Sequence, residues 1–237
     1  MKHKKIISLA LLIAAASVAG NVKAWFGGND EAAPAIHDGN SCSSKVESVV
    51  GTVSKTVAGE DETARKTGYR EVQYPSDNYA RDKVNDVKGV ILHHTAEPTV
   101  QRSLAVLTSK EKGVSTHVVI DTDGTRYIMV PPTTVAYHAG YSLLNGRERC
   151  NEWCLGIEFQ GNTLKAPLTQ DQIDSAIEWL LPLIAQYDIP VANIATHEMI
   201  RSAYKKAHPG AKAYDKPDIT QTEYRRFMKQ LHDALGY

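Results

Sequence analysis

Residues 87–93 of this chain read VKGVILH, an apolar run that ends in a histidine. Val90, Ile91 and Leu92 are followed at once by polar residues, and this short apolar pattern predicts a strand. Residues 155–159 (LGIEF) form a second apolar run of similar length, and residues 194–196 (IAT) form a shorter one. We therefore expect three short strands, two of which lead directly into histidines.

A hairpin is predicted between the first and second of these strands. Residues 118–120 and 126–130 have strand character, and residues 121–124 (DTDG) connect them. Asp-Gly between two apolar runs is a strong signal for a tight turn between antiparallel strands.

Three helices are predicted around these strands. Pro98 opens the first, which continues to about residue 107. Capping boxes at Thr169–Gln172 and Thr220–Glu223 begin the other two, and apolar residues at helical spacing follow each box. Strands that alternate with helices predict an α/β fold in which helices flank a central mixed β-sheet. We assign this single domain to residues 76–237.

Residues 1–24 have the pattern of an export signal. Lysines at positions 2, 4 and 5 precede an apolar run over residues 6–19, and residues 22–24 (VKA) supply the small residues needed for cleavage. The apolar run is shorter than the roughly 20 residues of a membrane-spanning helix. An uncleaved membrane anchor is the alternative. We predict a periplasmic or secreted protein with no stable membrane insertion after cleavage.

The segment after the signal, residues 25–75, is rich in small and polar residues and has no sustained helical or strand period, apart from one short candidate helix over residues 45–57. We interpret it as a mobile lead-in. The whole chain has 27 basic and 27 acidic residues, and without residues 1–24 it has 23 against 27, a formal charge of −4. This balance argues against a nucleic-acid partner, which would require a basic face.

The three cysteines are too few for a disulfide scaffold. Cys150 and Cys154 are four residues apart and could pair in an oxidising compartment, which would leave Cys42 free or linked elsewhere. Alternatively, Cys154 is a small buried apolar residue at the start of its strand. The sequence leaves both interpretations open.

Histidines stand where three predicted elements end. His93 and His94 close the first strand, His197 follows the strand at 194–196, and His208 precedes Pro209-Gly210. Neutral imidazole is the commonest zinc ligand, and three protein ligands with one open position are typical of a catalytic zinc. A structural role for each histidine is the alternative, since a histidine at a strand end is more often structural than metal-bound.

The sequence motifs around these histidines resemble those of a known protein family. They are, in chain order, VILHHTA at 90–96, VSTH at 114–117, YHAG at 137–140, LGIEF at 155–159, and His197 followed by KAHPG at 206–210. Together they resemble the zinc-dependent N-acetylmuramoyl-L-alanine amidases of the bacteriophage lysozyme and peptidoglycan recognition protein type, most closely the periplasmic bacterial branch. The resemblance covers roughly residues 84–215. It implies hydrolysis of the amide bond between the muramyl lactyl group and L-Ala in peptidoglycan or muropeptides.

The resemblance also implies one Zn²⁺ per chain in a groove at the strand ends. It assigns His93 and His197 as the first two zinc ligands and His208 as the third. The family more often has Asp or Cys at the third position, and a histidine there removes one negative charge from the metal site. His94 is expected to line the site or to pack beneath it.

Amide hydrolysis needs an activated water, a proton carrier and a group that stabilises the oxyanion. The resemblance assigns the proton transfer to Glu158, whose position between two apolar residues of a strand also favours a functional role. Lys206 matches the family's oxyanion-stabilising lysine, which stands two residues before the third ligand. A surface role for each is the alternative.

His138 and Asn151 are expected to line the groove that accepts the lactyl group and the stem peptide. A recognition module that binds peptidoglycan without cutting it is the main alternative function. A zinc endopeptidase is a weaker alternative, since residues 197–201 (HEMIR) do not complete an H-E-x-x-H motif. A hydrolase secreted against competitors would use the same chemistry on a different recipient.

Overall fold

The computed structural model describes residues 65–211 and 218–237 of the 237-residue chain. The predicted export signal at 1–24, the candidate helix at 45–57 and Cys42 lie outside the described residues, as does most of the predicted lead-in. Among the helices of the described part, none combines the length and the apolar character needed to cross a membrane.

The described residues form ten strands and four α-helices. The strands are β1 (Glu71–Gln73), β2 (Tyr79–Val84), β3 (Gly89–His94), β4 (Val118–Ile120), β5 (Arg126–Ile128), β6 (Thr134–Ala136), β7 (Leu143–Leu144), β8 (Arg147–Glu148), β9 (Cys154–Phe159) and β10 (Ile194–Thr196). The helices are α1 (Val100–Thr108), α2 (Gln170–Tyr187), α3 (His197–Ala207) and α4 (Gln221–Leu235).

Six strands form a mixed central sheet in the order β1-β5-β4-β9-β3-β10. Strands β4 and β5 pair antiparallel through the predicted hairpin, while β9, β3 and β10 run parallel to one another. Gly124 takes the positive φ of +82° that the turn between β4 and β5 requires. The predicted α/β class with a mixed sheet and flanking helices is confirmed.

Alternating side chains give the sheet two different faces. Val90 and Leu92 of β3 belong to the main apolar core, together with Phe159 of β9 and Phe227 of α4. Ile91 and His93 point to the opposite face, because successive side chains of a strand alternate. Helices α2 and α4 therefore cover one face, and the functional side chains gather on the other.

The helix starts follow the predicted capping signals with one difference. Thr169 and Gln172 form a complete capping box at α2. At α4, Thr220 accepts a hydrogen bond from the backbone N–H of Glu223, but the Glu223 carboxylate accepts from the backbone N–H of Leu168 instead of closing the box. Glu223 thus joins α4 to the segment that leads into α2.

The folded domain begins earlier than the predicted boundary at residue 76. Strand β1 lies within the predicted lead-in and pairs parallel with β5 at the edge of the central sheet. Tyr69 is buried against Gly124, whose added Cβ would lie 2.3 Å from the Tyr69 ring. The short β1 has few apolar residues, so its strand character depends on pairing with β5 and was not visible in the local sequence.

Candidate metal centre and groove

Two histidines meet at the carboxyl ends of β3 and β10. These strands are parallel neighbours in which Leu92 pairs with Thr196, so the next residues, His93 and His197, lie side by side. Their ring centroids are 4.9 Å apart. Both side chains are buried, which is unusual for imidazoles that serve no structural or metal-binding purpose.

Asp218 completes a cluster of three ligand-type side chains with these histidines. Its Oδ2 atom lies 3.3 Å from Nδ1 of His93 and 3.3 Å from Nδ1 of His197. Its Oδ1 atom accepts hydrogen bonds from the backbone N–H groups of His94, at 2.7 Å, and Ile219, at 2.8 Å. The carboxylate is therefore held with one oxygen directed at both imidazoles.

The surroundings of Asp218 favour its ionised carboxylate form. Burial raises its pKa, but the contacts with His197 and His93 outweigh burial and bring the pKa well below the usual range. Asp218 is 1 % exposed and remains ionised at neutral pH despite this burial.

The cluster fits a divalent metal. Neither ring nitrogen of His197 makes a hydrogen bond within the described part of the chain, although both are buried. The 3.3 Å approach of its Nδ1 to Asp218 lacks hydrogen-bond alignment. A buried nitrogen without a partner is costly, and two imidazoles with one carboxylate form a donor set that suits zinc.

The tautomer of His93 is fixed by its neighbour His138. The Nε2 atom of His138 lies 3.2 Å from the carbonyl oxygen of Cys154, which can only accept a hydrogen bond. Burial, together with the nearby rings of His93 and His117, holds the pKa of His138 well below its usual value, so the ring is neutral. Its Nδ1 therefore accepts from Nε2 of His93, at 3.1 Å, and Nδ1 of His93 is left unprotonated beside Asp218.

Glu158 lies opposite His93 on the adjacent strand. The two residues are direct register partners of β9 and β3, so their side chains emerge on the same face. Glu158 is 8 % exposed, and it lines a cavity of about 200 Å³ with His93, His138 and His197. A neighbouring cavity of about 530 Å³ shares His138 and His197 and extends the groove past Asn151.

Asn151 and Gly156 hold His138 in position. The Asn151 side-chain oxygen accepts from the backbone N–H groups of His138, at 3.0 Å, and Ala139, at 2.7 Å. A Cβ added at Gly156 would lie 2.7 Å from Cγ of His138 and 2.8 Å from the Thr116 hydroxyl. Gly156 in the LGIEF motif thus leaves space for the His138 ring to pack against β9.

The structure does not bring His208 and Lys206 to the metal cluster. Helix α3 starts at His197 and continues to Ala207, and its rise of 1.5 Å per residue carries His208 about 16 Å and Lys206 about 13 Å along the axis. His208 instead lies 2.7 Å from a carboxylate oxygen of Glu148 and packs on the ring of Tyr204. The structure therefore does not place His208 with His93 and His197, and Asp218 stands in the cluster instead.

His94 does not line the groove, and of the two positions expected for it the structure shows the one beneath the site. It follows His93 in a strand, so it points to the opposite face of the sheet. Its Nδ1 lies 2.9 Å from the Thr163 hydroxyl and accepts from the Thr163 backbone N–H at 3.1 Å. The same Thr163 hydroxyl accepts from the backbone N–H of Thr220, so His94 helps to anchor the segment that contains Asp218.

Asp218 belongs to the cluster but was not predicted from the sequence. Its signal is the word Lys216-Pro217-Asp218, which places a lysine two residues before an aspartate. That spacing is the one expected between the family's lysine and its third ligand. By this register the lysine is Lys216, which lies outside the described residues.

The sequence profile of the family described as N-acetylmuramoyl-L-alanine amidase matches residues 83–211, more than half of the chain. This chain belongs to the N-acetylmuramoyl-L-alanine amidase family. The family match confirms the resemblance drawn from the histidine-containing words. It ends seven residues before Asp218, beyond the long helix α3.

Several curated members of the amidase family are similar to this chain. N-acetylmuramoyl-L-alanine amidase AmiD of Escherichia coli K12 is 31% identical over 168 residues, which are 65% of this chain and 58% of the relative. The 1,6-anhydro-N-acetylmuramyl-L-alanine amidase AmpD of Enterobacter cloacae is 36% identical over 97 residues, 41% of this chain and 51% of the relative. The chain thus spans about half the length of the curated relatives it matches.

The fold agrees with that of a solved endolysin structure. A mutant endolysin from Bacillus subtilis aligns with a TM-score of 0.50 at 18% identity, covering 69% of this chain and 99% of the endolysin chain. At this identity the likeness supports the shared fold alone.

Proposed function

We propose that this protein is a zinc-dependent N-acetylmuramoyl-L-alanine amidase that cuts the amide bond between the muramyl lactyl group and L-Ala of the stem peptide. The observation that carries the proposal is the convergence of His93, His197 and Asp218 beside Glu158 in one groove. Membership of the amidase family supports the same reaction.

His93, His197 and Asp218 would hold the zinc ion. Zinc in such a site supplies a nucleophilic water at neutral pH and polarises the substrate carbonyl. With Zn²⁺ bound, two neutral imidazoles and one carboxylate would give the site a formal charge of +1. This positive charge would stabilise an anionic transition state. The backbone N–H groups of His94 and Ile219, which donate to Oδ1 of Asp218, favour the deprotonated form of this ligand.

Glu158 would act as the proton carrier. A carboxylate close to the attacking water accepts its proton, and the same group then donates a proton to the departing amine of L-Ala. The position of Glu158 opposite His93 and inside the groove supports this role. His138 and Asn151 line the same groove, and we propose that it accepts the lactyl group and the first residues of the stem peptide.

Lys216 is our proposal for the cation that stabilises the oxyanion. It takes over the role predicted for Lys206, because it stands two residues before Asp218. A positive group that faces the developing oxyanion lowers the barrier of acyl transfer.

We further propose that the protein is exported and acts on its substrate outside the cytoplasm. The support is the basic start, the apolar run over residues 6–19 and the small residues at 22–24. Expression of the full chain in a double-membraned bacterium and N-terminal sequencing of the periplasmic product test this. Release of a chain that begins at Trp25 is expected, and an unprocessed product in the membrane fraction would support the anchored alternative.

Cleavage of purified muropeptides tests the proposed activity. Mass spectrometry should detect free stem peptide with an L-Ala amino terminus after incubation with the zinc-loaded protein, and a chelator should stop its release. Glu158→Gln keeps the metal ligands and should lower kcat by about 10²- to 10⁴-fold, the usual contribution of general acid–base catalysis. Muropeptide binding without cleavage by the zinc-loaded wild type would instead support a recognition module.

A further inference from the structure

Helix α3 contributes a second polar side chain, Arg201, to the lining of the groove. Arg201 stands four residues after the proposed ligand His197, so both side chains lie on the same face of α3. Arg201 and His197 line the outer part of the groove together with His138 and Asn151.

Arg201 has no anionic partner among the described residues. Its Nε atom is buried and makes no hydrogen bond there. Seven of the nine other described arginines each lie within 4.0 Å of a carboxylate oxygen: Arg65, Arg81, Arg102, Arg126, Arg147, Arg149 and Arg226. The other two, Arg70 and Arg225, are exposed to solvent, whereas Arg201 is partly buried. A guanidinium that stays charged, is partly buried and lacks a partner is suited to an anion that arrives with the substrate.

We propose that Arg201 binds the free carboxylate of the second stem-peptide residue and selects acidic stem peptides over amidated ones. The proposal rests on the proposed amidase function, which places L-Ala at the metal. Glutamate linked through its side chain keeps a free α-carboxylate, which matches the planar fork of an arginine.

The spacing along α3 agrees with this assignment. Arg201 stands four positions after His197 in the helix, a rise of about 6 Å. An extended peptide advances about 3.3–3.6 Å per residue, so the carboxylate of the second residue lies a similar distance from the scissile bond. The groove therefore places metal and guanidinium at positions that one short peptide can reach together.

Two substrates and two variants test the proposal. The substrates are muropeptides that carry either D-glutamate or D-isoglutamine at the second position, which differ only in carboxylate against amide. Arg201→Ala should raise KM for the glutamate substrate by about 10- to 100-fold, the range expected for lost charge-assisted hydrogen bonds, and change KM for the amide substrate by less than about 3-fold. Arg225→Ala, which removes the same charge from an exposed position of α4, is the matched control.

Equal KM changes on both substrates would overturn the proposal, as would an unchanged KM on the glutamate substrate. Arg201→Gln keeps the length of the side chain without its charge and replaces Arg201→Ala if circular dichroism shows that the alanine variant is unfolded. If the wild type cleaves neither substrate, the amidase function fails. Calorimetric affinities of the two muropeptides for wild type and variant then decide the role of Arg201 independently.

Discussion

The Nδ1 atom of His138 lies 3.1 Å from the Nε2 atom of His93. Since the other nitrogen of His138 faces the carbonyl oxygen of Cys154, the direction of both hydrogen bonds is determined. The backbone of β9 thereby sets which nitrogen of His93 carries the proton and which one can bind a metal. His138 is accordingly a positioning residue for the proposed metal centre, in addition to lining the groove.

Substitution of His138 should weaken metal binding. We expect His138→Ala to lower zinc affinity by about 10- to 100-fold, the usual effect of removing an outer hydrogen-bond partner of a ligand. His138→Asn places a carbonyl oxygen near the former Nδ1 and should recover part of the affinity. Competition with a chromogenic chelator measures both dissociation constants. Wild-type affinity in His138→Ala would show that the tautomer of His93 is fixed in another way.

The part of the site on short apolar strands was predictable from the sequence. His93 and Glu158 lie in apolar runs whose length and flanking residues indicate strands, and parallel pairing of β3 with β9 brings them together. His197 follows directly after β10, so its position was also visible. Local pattern and strand geometry agree at these residues, which is the condition under which sequence reasoning works best.

The other parts of the site depend on tertiary contacts that local sequence patterns do not encode. Helix α3 has a polar composition and begins at His197 itself, so no apolar pattern indicated a helix that carries His208 and Lys206 away from the metal cluster. Asp218 reaches the cluster from after α3 through backbone hydrogen bonds to His94 and Ile219, which are tertiary contacts. The position of His94, however, follows from strand alternation alone, which decides between the two positions expected for it.

The identity of the third ligand is tested by Asp218→Ala beside His208→Ala. Removal of Asp218 deletes a ligand and should lower zinc affinity by more than about 100-fold, beyond the effect of an outer-shell change. Removal of His208 breaks only a partly exposed contact with Glu148 and should leave zinc affinity within about 2-fold. The zinc content of each variant is measured after dialysis. Loss of zinc from His208→Ala would instead favour His208 as the third ligand.

The two candidate lysines are separated by their effects on kcat. Lys216→Ala should lower kcat by about 10²- to 10³-fold with little change in KM, because an oxyanion contact forms only in the transition state. Lys206 is exposed near the end of α3, and Lys206→Ala should keep kcat within about 2-fold. Steady-state kinetics on one muropeptide, with zinc content matched between samples, make the comparison. A large loss in Lys206→Ala alone would contradict the register that places Lys216 before the third ligand.

The buried ring of His117 should make the folded domain less stable in acid. Its Nδ1 accepts from the backbone N–H of Gly156, at 2.9 Å, and its Nε2 donates to the carbonyl oxygen of Thr134, at 3.1 Å. Burial lowers the pKa of His117 to about 4, although the bond to Thr134 opposes the shift. An unfolded histidine titrates near 6.5, so between these values the unfolded chain binds a proton that the folded chain does not.

The free energy of unfolding is therefore fully present above pH 6.5 and falls as the pH drops toward 4, by up to about 3 kcal/mol from this residue. His117→Asn removes the titration, and its loss of stability between pH 7 and pH 4.5 should be smaller than that of the wild type by about 2 to 3 kcal/mol. Urea unfolding of metal-free protein at the two pH values measures the difference, and the wild-type value at pH 7 controls for the lost hydrogen bond. Because His138 titrates in both proteins, its contribution cancels. Parallel pH dependence in the two proteins would mean that His117 is not the residue that links protonation to unfolding.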